Sequence, residues 1–251
     1  MKKTSNCATE VNPEAAPWLA QGGEKRRVVQ QMFAAIAPSY DRINGLITFS
    51  LHHRWRQIAV RSLQLQPGDH VLDVCCGTGD FLEPLRNAVG AEGHLEGSDF
   101  CRPMLEIAQK KPHHRAHLSL ADACDLPYSS SRFDAVTVGW GIRNVPDIDQ
   151  AHREAFRVLK PGGRFVSLDT AQPRNPILRA VSRWISGTLI PWFGRRFGHE
   201  ASRAYKYLPE STLLFKSRVE IQASMEAAGF RNVTTRDFFF GNICLWRGEK
   251  P

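Results

Sequence analysis

Eight consecutive residues, Asp73-Val74-Cys75-Cys76-Gly77-Thr78-Gly79-Asp80, have the types and spacing to receive a small charged molecule. Gly77 and Gly79 carry no Cβ, so a ligand can approach bare backbone there. If a helix opens at this loop, its unpaired N–H groups and positive dipole end face the same space. A dinucleotide loop of the dehydrogenase kind would read G-x-G-x-x-G. Here Gly77-Thr78-Gly79-Asp80-Phe81-Leu82 lacks the third glycine. Asp99 lies twenty residues after Gly79 at the end of an apolar run. A carboxylate there can accept hydrogen bonds from both hydroxyls of a ribose. Asp122, within Ala121-Asp122-Ala123-Cys124-Asp125-Leu126-Pro127, is the better candidate for an exocyclic adenine amine, and Asp125 reads more simply as a turn residue. Asp73 either anchors a ligand amino group, directly or through water, or holds the loop by accepting backbone N–H bonds.

The elements that must position these residues follow an alternating rhythm of short apolar strands and helical stretches, which predicts a mostly parallel sheet wrapped by helices. Val71–Val74 follows the Pro67-Gly68-Asp69 turn as the first strand, and a helix is expected from Gly79 to Val89. His94–Asp99, Ala116–Leu120 and the β-branched Phe133–Gly139 are the next strands. Helices are expected over Pro103–Lys110 and Asp147–Leu159; Lys160-Pro161-Gly162-Gly163 should break the latter before strand five, Arg164–Asp169. A last helix, Val219–Ala228, precedes strands Val233–Phe239 and Ile243–Arg247, joined by Gly241-Asn242 as a hairpin turn. The expected fold is α/β: a Rossmann-like, seven-stranded, mostly parallel sheet with an antiparallel C-terminal hairpin. Residues 1–22 read as a mobile tail and 23–251 as one domain. Within it, 24–62 form a helical cap and 174–210 an insertion placed like a lid.

Composition bounds the remaining possibilities. The chain has 251 residues, enough for one full core. No apolar run approaches the roughly 18 residues of a membrane span, and Thr4–Glu10 is too polar for a signal-peptide core. A cytoplasmic protein is expected. The net charge of +8 is scattered apart from Lys25-Arg26-Arg27 and Arg195-Arg196. That pattern argues against a nucleic-acid partner and favours attraction to an anionic membrane face. The six cysteines show no C-x-x-C spacing, so no zinc or dithiol centre is expected, and Cys75-Cys76 reads as small packing.

The glycine-rich loop, Asp99, and Leu159-Lys160-Pro161-Gly162-Gly163 together resemble the class I S-adenosylmethionine-dependent methyltransferases. Within them, Tyr40-Asp41-Arg42-Ile43-Asn44 followed by Thr48, His52 and Trp55 is similar to the N-terminal signature of the UbiE/MenG group of quinone-biosynthesis C-methyltransferases. Gly141-Ile142-Arg143-Asn144, Tyr205, Tyr207-Leu208, Ser211 and Ala228-Gly229-Phe230 extend the resemblance to about Met32–Gly248. The sequence departs from that group at Ile43, Thr48, Gly139 and Asp169-Thr170-Ala171, the last replacing E-x-S.

The resemblance implies S-adenosylmethionine as co-substrate, held by Tyr40, Asp73, Gly77, Thr78, Gly79, Asp99, Asp122, Ala123 and Gly139. It implies methyl transfer to a ring carbon of a prenylated hydroquinone, with the naphthoquinol demethylmenaquinol preferred over the ubiquinone-pathway equivalent. Other small-molecule acceptors, and cofactor binding without catalysis, are the alternatives. Such a reaction needs alignment, exclusion of water and a proton acceptor, and no metal. Arg143 either stabilises the developing phenolate or forms a loop-fixing ion pair; Asn144 lies beside it. His52 is either the base or a structural residue, and Tyr40 with Asp41 should close the cap. Ile177, Leu178, Val181, Trp184, Ile185, Leu189 and Trp192 recur at helical spacing among Arg179, Arg183, Arg195 and Arg196. This stretch, 177–197, either packs over the pocket or makes peripheral contact with the inner face of the cytoplasmic membrane.

Overall fold

The computed structural model describes residues 22–111, 114–189 and 211–251. Residues 1–21 of the expected tail, with Trp192, Arg195, Arg196, Tyr205, Tyr207 and Leu208, lie outside the described residues, and Gly22, expected to end the tail, instead begins a helix.

Helices α1 (Gly22–Ile36), α2 (Tyr40–Ile47) and α3 (Leu51–Ser62) form the cap ahead of β1 (His70–Val74). Then α4 (Leu82–Val89), β2 (His94–Asp99), α5 (Arg102–Gln109), β3 (His117–Leu120) and β4 (Phe133–Gly139) alternate. They are followed by α6 (Ile148–Val158), β5 (Leu159–Thr170), α7 (Pro176–Trp184), α8 (Arg218–Ala227), β6 (Arg231–Phe238) and β7 (Ile243–Glu249). The seven strands form one sheet in the order β3-β2-β1-β4-β5-β7-β6. The first five pair in parallel, and β7 runs antiparallel to both β5 and β6. The strand order reverses beside β1, where open α/β sheets leave a crevice at the carboxyl ends of the strands.

Alternation along each strand divides the core into two layers. Leu72, Val136, Phe165 and Trp246 face α6 and α8, meeting Ala151, Ala155, Ile221 and Met225. Val71, Ala135, Val166 and Leu245 face the other way, onto Trp55, Ala59, Leu82 and Leu85. Each fully buried aliphatic side chain contributes about 1.5–3 kcal/mol. Side-chain caps fix where helices begin: Asp147 accepts from the Gln150 N–H ahead of α6, and Ser217 with Glu220 makes a capping box on α8.

Three of the boundaries that differ from the sequence expectation have a backbone cause. Helix α4 starts at Leu82 rather than Gly79, because Cys75, Gly77 and Gly79 hold φ of +55°, +55° and +86°, outside the right-handed helical region. Lys160-Pro161-Gly162-Gly163 lies within β5 instead of preceding it. Phe133 pairs with Leu159 and Ala135 with Arg164, so these residues bulge from the ladder, and the Gly162 N–H is taken by the Lys250 carbonyl at 2.8 Å. The β6–β7 connection is the four residues 239–242, closed by the Phe238–Ile243 pair. Asn242 has φ −78°, whereas a two-residue type I′ turn needs positive φ at both central positions.

Candidate active site

The end of β1 turns sharply at Cys75, at φ +55°, and the Cys76 N–H donates to the Ser98 carbonyl of β2 at 2.9 Å. Asp99 at the end of β2 is 6% exposed; its Oδ2 accepts from the Gly77 N–H at 2.9 Å and its Oδ1 from the Cys101 N–H at 2.8 Å. Burial pushes its carboxyl up to about 6, against the pull of those N–H groups. The carboxylate is thus oriented by backbone, with lone pairs left for a ligand.

A cleft opens above it, lined by Tyr40, Gly77, Asp99, Asp122, Ala123, Gly139 and Asn144 among others. A Cβ on Gly77 would meet nothing within 4 Å, so a side chain there would project into space a ligand can use. Gly79 behaves differently. A Cβ there would lie 3.1 Å from Leu82 and 3.3 Å from Ala108, so this glycine serves helix packing behind the loop. Gly139 lines the cleft and also makes room for Phe81, whose ring a Cβ would meet at 2.5 Å. Two acidic acceptors and a bare loop fit a nucleoside with its hydroxyls and amine. Asp122 Oδ1 accepts from the Cys124 N–H at 2.9 Å, and Oδ2 lies 3.0 Å from Arg26 of α1.

Asp73 and Thr78 stand behind the lining. Asp73 is buried beneath the loop and accepts from the Thr137 hydroxyl at 2.6 Å; burial raises its carboxyl to about 7 despite that bond. Thr78 donates to Asp41 of the cap at 2.5 Å. Lys111 bridges Asp41 at 2.7 Å and Asp80 at 2.9 Å, and Arg56 approaches Asp80 at 3.3 Å. Against the cost of burial, Arg56 and Lys111 hold the Asp80 carboxyl below the usual carboxylate range. His52 is buried, within 2.6 Å of the Thr48 hydroxyl, and burial with the nearby Arg56 lowers it to about 4. It is not among the cleft-lining residues. His52, His53 and Asp80 could together offer a metal three ligand atoms within 4.8 Å, yet Asp80 is already neutralised by two cations.

Beyond β4, Trp140 takes φ +55° and turns its carbonyl toward the Arg143 guanidinium and the Asn144 amide, each at 3.0 Å. Arg143 Nη1 also binds Asp169 Oδ1 at 2.5 Å; the Asp169 side chain is fully buried and that of Arg143 is 7% exposed. Asp169 is therefore the anchor of Arg143. Asn144 lines the cleft, while the Arg143 guanidinium is held just behind it.

Several site residues escaped sequence reasoning. Arg26, Phe33, Cys75, Phe100, Met104 and Trp140 also line the cleft. Helix α1 crosses its mouth: besides Arg26, Lys25 donates to the Val145 carbonyl at 2.8 Å and Gln30 to the Phe100 carbonyl at 2.7 Å. The run Lys25-Arg26-Arg27 was the available signal, noticed only as charge. Cys75 and Cys76 are free thiols, and burial raises both well above the ordinary thiol range. In the described part of the insertion, α7 leaves Ile177 73%, Val181 48% and Trp184 61% exposed.

Known proteins resemble this chain in sequence and in fold. A demethylmenaquinone methyltransferase of Lactiplantibacillus plantarum is 41% identical over 227 residues, covering 88% of this chain and 95% of the relative. One of Alkalihalophilus pseudofirmus is 39% identical over 230 residues, covering 90% and 97%. Among solved structures, a SAM-dependent methyltransferase of Thermotoga maritima matches the fold with TM-score 0.61 at 21% identity, covering 89% of this chain and all of that one. The model of the ubiE/COQ5 methyltransferase family matches residues 20–250, and the chain belongs to that family.

Proposed function

We propose that this methyltransferase carries the methyl group of S-adenosylmethionine to a ring carbon of demethylmenaquinol. One observation carries the reading: a single cleft joins Asp99 and Asp122, suited to a nucleoside, to Asn144, with the buried Arg143–Asp169 pair next to it behind the lining. The names of the relatives point to the same acceptor.

When bound, the co-substrate supplies a sulfonium methyl. Asp99 accepts the ribose hydroxyls, Asp122 the adenine amine, and Gly77 with Gly139 brings bare backbone against the ligand. Ala123 packs against the base. Asp73 and Thr78 act from beneath the loop, Asp73 by fixing its approach from β1 and Thr78 by tying it to Asp41. Tyr40 closes one wall; burial raises its phenol, so it stays a hydroxyl donor at neutral pH. Arg143, just behind the lining, lends fixed positive charge to an acceptor oxygen as that oxygen gives its proton to water and becomes a phenolate. The adjacent ring carbon attacks the methyl, the sulfur–methyl bond breaks to leave S-adenosylhomocysteine, and the ring carbon then loses its own proton to water. Asn144 orients that oxygen. His52, buried and lowered, suits a structural role in the cap better than proton acceptance. The apolar face of α7 supports peripheral contact with the bilayer in which a prenylated acceptor resides. Among the described residues no helix is long and apolar enough to cross a membrane.

Complementation of strains blocked at either quinone methylation step tests this, with quinone masses as the readout. Restored menaquinone is the expected result. Failure to restore either quinone from a stably expressed protein would overturn the assignment.

A further inference from the structure

Phe239 and Phe240, at the β6–β7 turn, hold φ of +47° and +55° and are 45% and 76% exposed. Residues with a Cβ are strained there, and strain is retained where the surroundings or function require it. Phe240 gains little burial within the chain in return, so a partner outside it is the natural recipient.

The rings also begin a path. Phe240 and Phe239 have centroids 6.0 Å apart, Phe239 lies 6.1 Å from Trp55, and Trp55 lies 6.4 Å from Trp140. Trp140 lines the cleft. A file of packed aromatic rings therefore runs from the exposed turn, through the buried Trp55, to the wall of the cleft. Helix α7 adjoins the same turn through the Ser182–Asn242 hydrogen bond, with its exposed Ile177 and Trp184 on the helix face away from Ser182.

Charge completes the surface. A groove behind the turn is lined by Ser50, His53, Arg54, Arg61 and Arg236. The Arg236 guanidinium lies 5.3 Å from the centre of the Phe238 ring. Among the described residues, Arg54 and Arg61 form no ion pair with an acid. Phe49, next to Ser50, is 79% exposed and also has positive φ. Aromatic tips beside cationic side chains match an anionic phospholipid leaflet, whose headgroups meet arginines while rings enter the acyl boundary.

We propose that the Phe239–Phe240 turn is the wedge by which the protein docks on an anionic bilayer, and that the apolar tail of the acceptor enters from this side of the molecule toward Trp140. The tail path rests on the quinol reading above; the docking does not.

The full chain, Phe240→Ser and Phe239→Ser/Phe240→Ser are compared on vesicles of phosphatidylcholine with and without phosphatidylglycerol. Flotation gives binding. Turnover is measured on demethylmenaquinol in the vesicles and on the tail-less naphthoquinol in solution. Wild type is expected to float with the anionic vesicles. The double variant should lose about tenfold or more in binding and in vesicle kcat/KM. Its turnover of the tail-less acceptor should stay within about twofold of wild type, and the single variant should lie between. Unchanged flotation of both variants would overturn the docking. Equal losses on both acceptors would overturn the tail path, as a damaged site would give that pattern. A wild-type dimer that the double variant converts to monomer, with no vesicle binding by either, would assign the face to a second copy instead. A wild-type protein that floats but methylates neither acceptor would refute the quinol reading and leave the docking standing.

Discussion

Replacing Asp169 by Asn removes the charge that holds Arg143 while keeping the shape of the side chain. Asp169 is fully buried, accepts from the Thr170 N–H at 2.7 Å, and binds Arg143 at 2.5 Å. Removing one partner of a buried pair leaves an uncompensated charge, at a cost of about 3–5 kcal/mol. For a chain of this size each kcal/mol moves Tm by about 2–4 °C, so a fall of about 6–20 °C is expected. Arg143 also loses a charge-assisted bond of about 1.5–3 kcal/mol that fixes its direction, so kcat should fall about 10–100-fold with co-substrate saturating. Asp169→Glu keeps the charge. Its extra methylene in a filled site costs about 1–3 kcal/mol of stability, yet the ion pair survives and most of kcat should return. Thermal unfolding and steady-state turnover of the three proteins measure this. If the Asn variant folds and turns over at the wild-type rate, or if Glu and Asn lose kcat equally, Arg143 does not depend on this carboxylate for its role.

Three shorter predictions follow from the same geometry. Gly77→Ala should fold normally apart from modest strain at its positive φ, but weaken co-substrate binding by filling the cleft, whereas Gly79→Ala should lower Tm through contacts with Leu82 and Ala108; calorimetry on both separates the two roles, and matched Tm losses would argue against them. His152 is fully buried, within 2.7 Å of the Ser224 hydroxyl, and burial lowers it to about 4. A base kept neutral in the fold stabilises it above the unfolded pKa of 6.5 and loses that stability as pH falls from there toward 4. The stability of wild type relative to His152→Gln should therefore drop by up to about 3 kcal/mol over that window, and parallel pH profiles would contradict it. Finally, Arg143→Ala should bind co-substrate normally and lose turnover at least about 10²-fold, as removal of one preorganised charge does elsewhere; wild-type turnover would rule Arg143 out.

Much of the fold was legible because strand and helix periods differ, and each buried face repeats its own. The errors fall where backbone angles override pattern. Cys75, Gly77 and Gly79 delay α4, and Asn242 at negative φ turns an apparent two-residue hairpin into a four-residue loop. Asp99 and Asp122 were readable because strand ends in such a sheet face one crevice. The cap's contacts were not. Lys25 meets the carbonyl of Val145 across 120 residues of chain, and Arg26 meets Asp122; no local spacing encodes either. Asp169 was visible as a departure from a motif, but its meaning required the strand register that brings it to Arg143.

The most direct test supplies the purified protein with reduced demethylmenaquinol in phosphatidylglycerol-containing vesicles and methyl-deuterated S-adenosylmethionine, then reads the products by mass spectrometry. The account predicts one labelled methyl on a ring carbon for each S-adenosylhomocysteine formed. Label on a hydroxyl oxygen, or co-substrate binding with no labelled quinone, would contradict it.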